Sequence, residues 1–223
     1  MIKKPKILKI FQVDPLNPRN DQINATSQII KNGGVIVFPT QYLYGLGADA
    51  LNDKAVDRIF EIKQRSYDKP FLVLIPNRKD LPKFVQHVSL TATHIMNCFW
   101  PGAVTLIFKA KDTLPTNLTA DTGTIGIRMP YHPVALALSM AVGVPLTATS
   151  ANIAGDLGCS TVSEIDPRIS DKVDLILDAG PLKGGIGSTV VDVTVDPPII
   201  LREGAIPAKD IFIALENAQA HLL

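Results

Sequence analysis

Cysteine is scarce in this chain, and its scarcity excludes several protein classes. Only Cys98 and Cys159 occur among 223 residues, and neither belongs to a CxxC pair or has Cys/His ligand spacing. Two cysteines are too few for a disulfide framework, so we expect a reducing, cytoplasmic setting. No apolar run approaches the ~18 residues of a membrane helix. The basic N-terminal segment 1–14 is not a secretory signal, because Lys9 and Gln12 interrupt its apolar part.

An excess of either charge is also lacking. The chain has 22 Lys and Arg against 21 Asp and Glu, which gives a net charge of +1. This balance argues against a histone-like coat of positive charge, although a local basic groove remains compatible with it. The hydrophobic content of 46% with 19% charged residues is that of an ordinary soluble enzyme.

The signatures of several common enzyme classes are missing. No Gly-Lys dipeptide occurs, so there is no Walker A loop, and no GxGxxG, HExxH or GxSxG segment occurs either. None of the four histidines has the spacing of a metal-ligand pair; they are His87, His94, His132 and His221. An enzyme built on this sequence is therefore expected to use neither a nucleophilic triad nor a fixed zinc ion.

Strand and helix patterns alternate along the chain and predict an α/β fold with a twisted mixed sheet and flanking helices. We expect a helix from Asn20 or Asp21, acting as its cap, to Gly33, and a helix capped by Ser89. No Ser/Gly/Pro-rich linker divides the chain, so a single domain over residues 1–223 is predicted. The strand candidates are KILKIFQV, VIVFP, FLVLI, AVTLIFKA, TIGIRM, PLTATS, DLILDA, STVVDVTV and IILR.

A cluster of cations stands where a predicted helix passes into a strand. Lys63, Arg65 and Lys69 fall within the nine residues IKQRSYDKP. Cations in the last turn of a helix complement its macrodipole by ~0.3–1 kcal/mol, so a solvated helix end is one interpretation. The other interpretation is an anion-binding site, for which further evidence is needed from other segments.

Such evidence comes from other strand ends, where α/β proteins usually bind ligands. GGIGST (184–189) offers successive backbone N–H groups for an anion nest, and TSAN (149–152) offers hydroxyl and amide groups. Arg128 and Arg202 each close a predicted strand, although either is also compatible with a surface ion pair. Together these segments predict a cleft for a ligand with several phosphate-like groups.

The motifs PTQYLYGLG, KQR…DKP, WPGAVTLIF, GIRMPYHP, TSAN, GSTVVD and LREG occur in this order. As a set, over about residues 20–205, they resemble the YrdC family, the threonylcarbamoyl-adenylate synthases. The resemblance implies one α/β domain around a basic concave groove. It also implies a reaction of L-threonine, bicarbonate and ATP that yields threonylcarbamoyl-AMP and pyrophosphate, with Mg²⁺ held through the phosphates and no metal bound by the protein alone. Partner transferases would then pass the group to tRNA.

The same resemblance implies roles for individual residues. Lys63 and Arg65 would act on the nucleotide phosphates as the catalytic pair, with Lys69 beside them. Further nucleotide contacts would come from Thr124, Ser150, Asn152, Arg202 and either Cys159 or Ser160, because the alignment slips by one residue at that point. The amino-acid side would be formed by Thr40, Tyr42, Leu74, Arg128, Ala148 and Ser188, with Arg128 on the threonine carboxylate.

The amino-acid side departs from the pattern of longer relatives. Gln41 stands where they have an acid, Tyr42 where they have a small hydroxyl residue, and Leu74 where they have a histidine. The carboxylate anchor Arg128 is retained. We therefore expect threonine as the substrate, with weaker discrimination against amino acids of similar shape.

Two other functions are compatible with the motifs. A basic groove is able to hold double-stranded RNA or a tRNA stem through phosphate contacts alone, although the aromatic content of 6% is low for a dedicated RNA binder. Related domains in hydrogenase-maturation proteins act on another carbamoyl acceptor, within much larger chains. Steep salt dependence would identify RNA binding, whereas pyrophosphate release from ATP would identify the synthase.

Overall fold

The computed structural model describes residues 9–67 and 70–220, and strands and helices alternate through them, which confirms the α/β class. The strands are β1 (Ile10–Gln12), β2 (Ile36–Pro39), β3 (Tyr44–Gly47), β4 (Leu72–Leu74), β5 (Val104–Lys109), β6 (Thr124–Arg128), β7 (Leu146–Thr147), β8 (Thr149–Ser150), β9 (Leu175–Asp178), β10 (Thr189–Asp192) and β11 (Ile199–Arg202). The α-helices are α1 (Asn20–Lys31), α2 (Asp53–Lys63), α3 (Leu90–Phe99), α4 (Thr116–Thr119), α5 (Pro133–Val142), α6 (Pro167–Ser170) and α7 (Ala208–Ala220), with 3₁₀ turns at Arg78–Lys83 and Val162–Glu164.

The strands form two mixed sheets. The five-stranded sheet has the order β1-β9-β2-β3-β8, with β1, β9 and β2 parallel and with β3 antiparallel to both neighbours. The six-stranded sheet has the order β11-β10-β5-β6-β4-β7. In it the β10–β5 and β4–β6 pairs are parallel and the others antiparallel. The mixed pairing expected from the sequence is therefore present in both sheets.

The segment PLTATS, a single strand in the sequence analysis, is divided between the two sheets. Its first part, β7, pairs with β4, whereas β8 pairs with β3 of the other sheet. Between them, the N–H of Ala148 donates to the Leu72 carbonyl at 3.0 Å. The two sheets therefore meet at Ala148, and the chain leaves this junction through Ser150 and Asn152.

Local signals set several helix ends. Ser89 caps α3, accepting a hydrogen bond from the Ala92 N–H at 3.1 Å, as predicted. The cap predicted for α1 is wrong: Arg19 holds the cap position and makes no side-chain cap, because a guanidinium has no hydrogen-bond acceptor. It pairs instead with Asp21 in the first turn at 2.6 Å. Gly33 follows the helix with φ 80°, a conformation that favours glycine. None of the helices within the described ranges is long and apolar enough to cross a membrane.

Two apolar clusters form the core on opposite faces of β2. Val35 and Val37 point into the larger cluster with α2 and α3, whereas Ile36 and Phe38 point into the smaller one with α1 and α5. Alternate residues of a strand face opposite sides of a sheet. β2 is thus buried on both faces, as its uninterrupted apolar sequence predicts.

Candidate active site

A cleft of about 650 Å³ lies where the two sheets meet. Its walls come from β3 and β8 of one sheet and from β4, β5, β6 and β10 of the other. The cleft therefore collects short segments that are far apart in the sequence. Nine of the predicted site residues line it: Thr40, Tyr42, Arg65, Arg128, Ala148, Ser150, Asn152, Ser188 and Arg202.

Strand alternation decides which side chains form the floor of the cleft. Thr105 and Ile107 on β5, and Gly126 and Arg128 on β6, line it. The residues between them belong to the apolar core on the opposite face. Because side chains alternate with a period of two, Arg128 reaches the cleft from the end of a strand whose other face is apolar.

Arg128 is a buried cation whose Nε atom has no hydrogen-bond partner. The residue is 7% exposed, and none of the described residues forms a salt bridge with it. Burial and the nearby Arg202 lower the pKa of Arg128 to about 10, so the guanidinium remains charged at neutral pH. An unpaired buried charge is costly, and an anionic ligand in the cleft would satisfy it.

A β-bulge brings Arg202 to the cleft. On β11, Arg202 pairs with Val190 and Ile200 pairs with Val191, so Leu201 is an extra residue in the ladder. Without this shift Ile200 and Arg202 would share one face of the sheet. With it, Ile200 packs on the core whereas Arg202 lines the cleft.

Arg202 is held by the segment that precedes β10. Its Nη2 donates to the Ser188 carbonyl at 2.8 Å, and the Ser188 hydroxyl lies 2.9 Å from that of Thr105. Gly204 packs against the same backbone, since a Cβ at this position would lie 2.3 Å from the Ser188 carbonyl carbon. The GSTVVD and LREG motifs therefore form one packed unit at the rim of the cleft.

Arg65 reaches the opposite part of the cleft after a sharp turn. The α2 helix ends at Lys63, and Gln64 follows it with a φ of 50°. The turn places Arg65 over the Phe71 ring, with the guanidinium carbon 5.1 Å from the ring centroid. Its Nη2 donates to the Pro70 carbonyl at 3.1 Å. These contacts hold the guanidinium against the wall and leave part of it exposed to the cleft.

Lys63 does not line the cleft, unlike its neighbour Arg65. It is 1% exposed, and its ammonium group donates to the carbonyl oxygens of Ser150 and Asn152 and to the Asn152 amide oxygen. Burial and the charge of Arg65 lower the pKa of Lys63 to about 7. The structure thus separates two cations that the sequence places two residues apart.

Two further predicted residues lie away from the cleft walls. Leu74 is fully buried in the smaller apolar cluster with Leu146 and Ala148, so it stands behind the cleft and not in it. Thr124 begins β6 and shares a face with Gly126 by alternation, but its hydroxyl pairs with that of Thr122 at 2.8 Å beyond the lining residues. Direct contact of Leu74 with a substrate is therefore not supported.

The choice between Cys159 and Ser160 is informed by their surroundings. The Cys159 thiol is buried, with its sulfur 3.4 Å from the Ala151 carbonyl oxygen and 3.3 Å from that of Glu164, and burial raises its pKa. Ser160 is half-buried near Gly184, with its hydroxyl 3.2 Å from the Glu164 carboxylate. Ser160 is the more accessible of the two, and neither lines the cleft. Lys69 lies outside the described residues.

Sequence reasoning missed several polar residues of the cleft, among them Thr105, Asp156 and Glu203. Strand alternation within AVTLIFKA places Thr105 on the same face as Ile107. The pattern does not show by itself that this face lines the cleft. Of the predicted glycine segment 184–189, residues 185–188 line the cleft, and its three glycines all have positive φ. Within the described ranges, no three His, Cys, Asp or Glu side chains are grouped to hold a metal.

Comparison with known proteins identifies relatives over most of the chain. The Sua5/YciO/YrdC family profile, described as telomere recombination, matches residues 28–204. A Pyrococcus abyssi protein named threonylcarbamoyl-AMP synthase is 34% identical over 90% of this chain, which spans 59% of that protein. The uncharacterized protein YciO of Escherichia coli is 35% identical, with 88% of this chain and 95% of YciO covered.

Solved structures agree with these sequence matches. P. abyssi Sua5 complexed with L-threonine superposes with a TM-score of 0.88 at 33% identity, covering 92% of this chain and 60% of that one. E. coli YciO superposes with a TM-score of 0.84 at 33% identity, covering 92% of this chain and 100% of that one. Because the family profile and these full-domain similarities cover most of its length, the chain belongs to the Sua5/YciO/YrdC family.

Proposed function

We propose that this protein is a threonylcarbamoyl-AMP synthase, which joins L-threonine, bicarbonate and ATP and releases pyrophosphate. The observation that carries the proposal is the buried guanidinium of Arg128, whose Nε has no hydrogen-bond partner, in a cleft that also presents Arg65 and Arg202. One buried cation with two cations nearer the rim suits an amino-acid carboxylate next to a nucleotide phosphate chain. The names of the Pyrococcus relative and its threonine-bound structure support the same assignment.

At the amino-acid end, Arg128 binds the substrate carboxylate through two parallel hydrogen bonds. Ser188 and the backbone of Ala148 hold the rest of the substrate. Because the Ala148 N–H already donates to the Leu72 carbonyl, the group that Ala148 offers is its own carbonyl oxygen. That oxygen accepts a hydrogen bond from the substrate amine.

At the nucleotide end, Arg65 and Arg202 bind phosphate oxygens, and Ser150 and Asn152 form the adjoining wall. Lys69, Thr124 and Ser160 remain proposed nucleotide contacts on the strength of the family resemblance alone. Asp156 and Glu203 are the carboxylates that line the cleft. Any Mg²⁺ arrives with the nucleotide and is bound mainly by its phosphates, since magnesium sites of this kind need few protein ligands.

The chemistry requires charge stabilisation more than a strong base. The threonine amine and bicarbonate condense to a carbamate with release of a water molecule. A carbamate oxygen then attacks the α-phosphorus as the bond from phosphorus to the pyrophosphate oxygen breaks. Negative charge then accumulates on the phosphoryl oxygens and on the leaving group. Cations already held in place by the protein lower this barrier because they need not reorganise. The adenylate then serves tRNA modification in the cytoplasm through partner transferases.

The products of ATP cleavage test the proposal. With ATP, bicarbonate and threonine, we expect pyrophosphate and a threonylcarbamoyl-AMP adduct, because the attack is on the α-phosphorus and no P-loop is present. Mass spectrometry of the adduct together with a pyrophosphate assay provides the measurement. ADP as the main product, or salt-sensitive RNA binding without ATP turnover, contradicts the proposal.

Replacing either rim arginine with alanine should slow adenylate formation without unfolding the protein. Each charge-assisted phosphate contact contributes ~1.5–3 kcal/mol, so we expect Arg65→Ala and Arg202→Ala each to lose about ten- to a hundredfold in turnover. Steady-state kinetics measure the loss, and circular dichroism checks the fold. Wild-type rates in both variants would show that these arginines are surface cations that do not bind the phosphates.

Tyr42 is expected to weaken the selection of threonine over amino acids of similar shape. Tyr42 lines the cleft where longer relatives have a small hydroxyl residue, and a pocket without a dedicated hydrogen bond discriminates by only ~10–200-fold. We expect serine, valine and 2-aminobutyrate to give adducts at equal concentration, and Tyr42→Thr to reduce them relative to threonine. Strict dependence on threonine in the wild type would show that Tyr42 itself recognises the hydroxyl.

A further inference from the structure

The C-terminal end of α2 presents two cations with different surroundings. Lys63 is the last residue of the helix and is 1% exposed, whereas Arg65 lines the cleft. Gln64 between them has a left-handed backbone conformation that turns the chain. The side chain of Lys63 is therefore buried in the interior, whereas that of Arg65 lies in the cleft. A common role in phosphate binding therefore does not follow from their closeness in sequence.

The hydrogen-bonding capacity of the Lys63 ammonium is fully used. A lysine ammonium has three N–H donors. Three acceptors surround it, namely the Ser150 carbonyl, the Asn152 carbonyl at 2.8 Å and the Asn152 amide oxygen at 3.3 Å. A phosphate oxygen would gain a hydrogen bond from Lys63 only if one of these buried acceptors lost its own.

The backbone of Lys63 also forms a hydrogen bond with segment 150–154. The Ala154 N–H donates to the Lys63 carbonyl at 2.8 Å. The Asn152 amide nitrogen donates to the carbonyls of Ile153 and Asp156, at 3.0 and 2.6 Å. These bonds fix the orientation of the Asn152 amide, because its nitrogen faces acceptors and its oxygen faces the ammonium donor.

The fixed amide sets the direction of the Ser150 hydroxyl. Ser150 Oγ donates its hydrogen to the Asn152 amide oxygen, so it presents only lone pairs to the cleft that it lines. A fully ionised phosphate oxygen has no hydrogen to donate to those lone pairs. A ribose hydroxyl or a nucleobase amine does, so Ser150 suits the nucleoside part of the ligand.

We propose that Lys63 is a positioning residue that holds segment 150–154 from beneath the cleft, so that Ser150 accepts a hydrogen bond from the nucleoside while Arg65 binds the phosphates. This inference rests on the proposed function for the identity of the ligand. It replaces the direct phosphate contact that the family resemblance assigns to Lys63. It also divides the nucleotide site into a nucleoside wall and a phosphate wall that adjoin at the end of α2.

Binding of ligand fragments separates these two roles. We expect Lys63→Met to weaken adenosine and ATP alike, by about two- to tenfold, the effect of one misplaced neutral hydrogen bond, and to leave pyrophosphate affinity unchanged. The matched control is Arg65→Met, which should weaken pyrophosphate and ATP about ten- to a hundredfold while adenosine binding persists. Titration calorimetry measures the affinities, and thermal melting verifies that each variant is folded.

A loss of pyrophosphate affinity in folded Lys63→Met, or unchanged binding of all three ligands, overturns the inference. Ser150→Ala gives a second variant that does not disturb the buried ammonium. It should reproduce the adenosine and ATP losses without affecting pyrophosphate, and loss of pyrophosphate affinity there also overturns the inference. Wild-type protein that binds neither ATP nor pyrophosphate counts against the proposed function itself.

Lysine labelling of the wild type provides an independent measurement. Acetylation requires that the reagent reach the amine, and Lys63 is 1% exposed. We expect peptide mass spectrometry to find Lys63 unmodified both with and without ATP, whereas exposed lysines such as Lys83 are labelled. Labelling of Lys63 that ATP prevents would identify a phosphate contact and overturn the inference.

Discussion

Replacing Arg128 with methionine should abolish adenylate formation and at the same time raise the melting temperature. Two charge-assisted hydrogen bonds to the substrate carboxylate are lost, at ~1.5–3 kcal/mol each, so turnover at low threonine should fall by at least about a hundredfold. The stability change has the opposite sign because Arg128 is buried with an unpaired Nε. A charged residue that binds a ligand is expected to destabilise the unliganded fold, so its removal should raise stability and lower activity.

The sign of the stability change follows from the pKa of Arg128. Burial and the nearby Arg202 lower its folded-state pKa to about 10, below the ordinary value for arginine, so the folded state binds this proton less tightly than the unfolded state. That penalty is fully present below pH 10 and is relieved as the pH rises above that value. At neutral pH its removal should stabilise the protein by ~1–2 kcal/mol, or about 2–8 °C.

Arg19→Met is the matched control for this experiment. Arg19 is also an arginine near an element boundary, but its side chain is 72% exposed and is paired with Asp21. We expect Arg19→Met to change neither turnover nor melting temperature appreciably, because exposed ion pairs contribute ~0–1 kcal/mol. Calorimetric melting and threonine titrations measure both quantities. Arg128→Met with wild-type dependence on threonine would show that another group binds the carboxylate.

Gly204→Ala should destabilise the fold and inactivate the cleft together. An added Cβ would lie 2.3 Å from the Ser188 carbonyl carbon and 2.5 Å from the Thr189 nitrogen. These are backbone atoms of a paired strand, so they cannot move aside without disturbing the β10–β5 ladder. We expect a loss of about 3 kcal/mol or more, or roughly 6–12 °C in melting temperature. Turnover should fall too, since Ser188 and Arg202 share this contact.

Gly143→Ala separates the steric clash from the general effect of replacing a glycine. Gly143 caps α5 with a φ of 75°, and an added Cβ would meet no atom within 4 Å. The left-handed backbone conformation is then the only cost of the substitution, and it should lower the free energy of unfolding by ~1–2 kcal/mol. Turnover should be retained. Equal losses of stability and activity in both variants would mean that the packing of Gly204 on Ser188 has no special importance.

Much of this protein is predictable from the local pattern of its sequence. Apolar periodicity predicted the main helices and strands, because a buried face must recur with the period of the backbone. The motifs that resemble the YrdC family implied nine residues that the structure places in one cleft. Motifs for a metal site or a nucleophilic triad are missing and Arg128 and Arg202 each close a predicted strand, so the residues alone indicate a cleft for an anionic ligand.

Tertiary pairing decided which of the candidate residues face the ligand. Lys63 and Arg65 differ because a left-handed turn lies between them and because the acceptors of Lys63 come from residues 150–152, about 90 positions away. Arg202 reaches the cleft only through a one-residue bulge, and a shift of one residue exchanges the two faces of a strand. Alternation shows which side chains share a face, but only the partners brought from distant parts of the chain determine which face becomes the cleft and which the core.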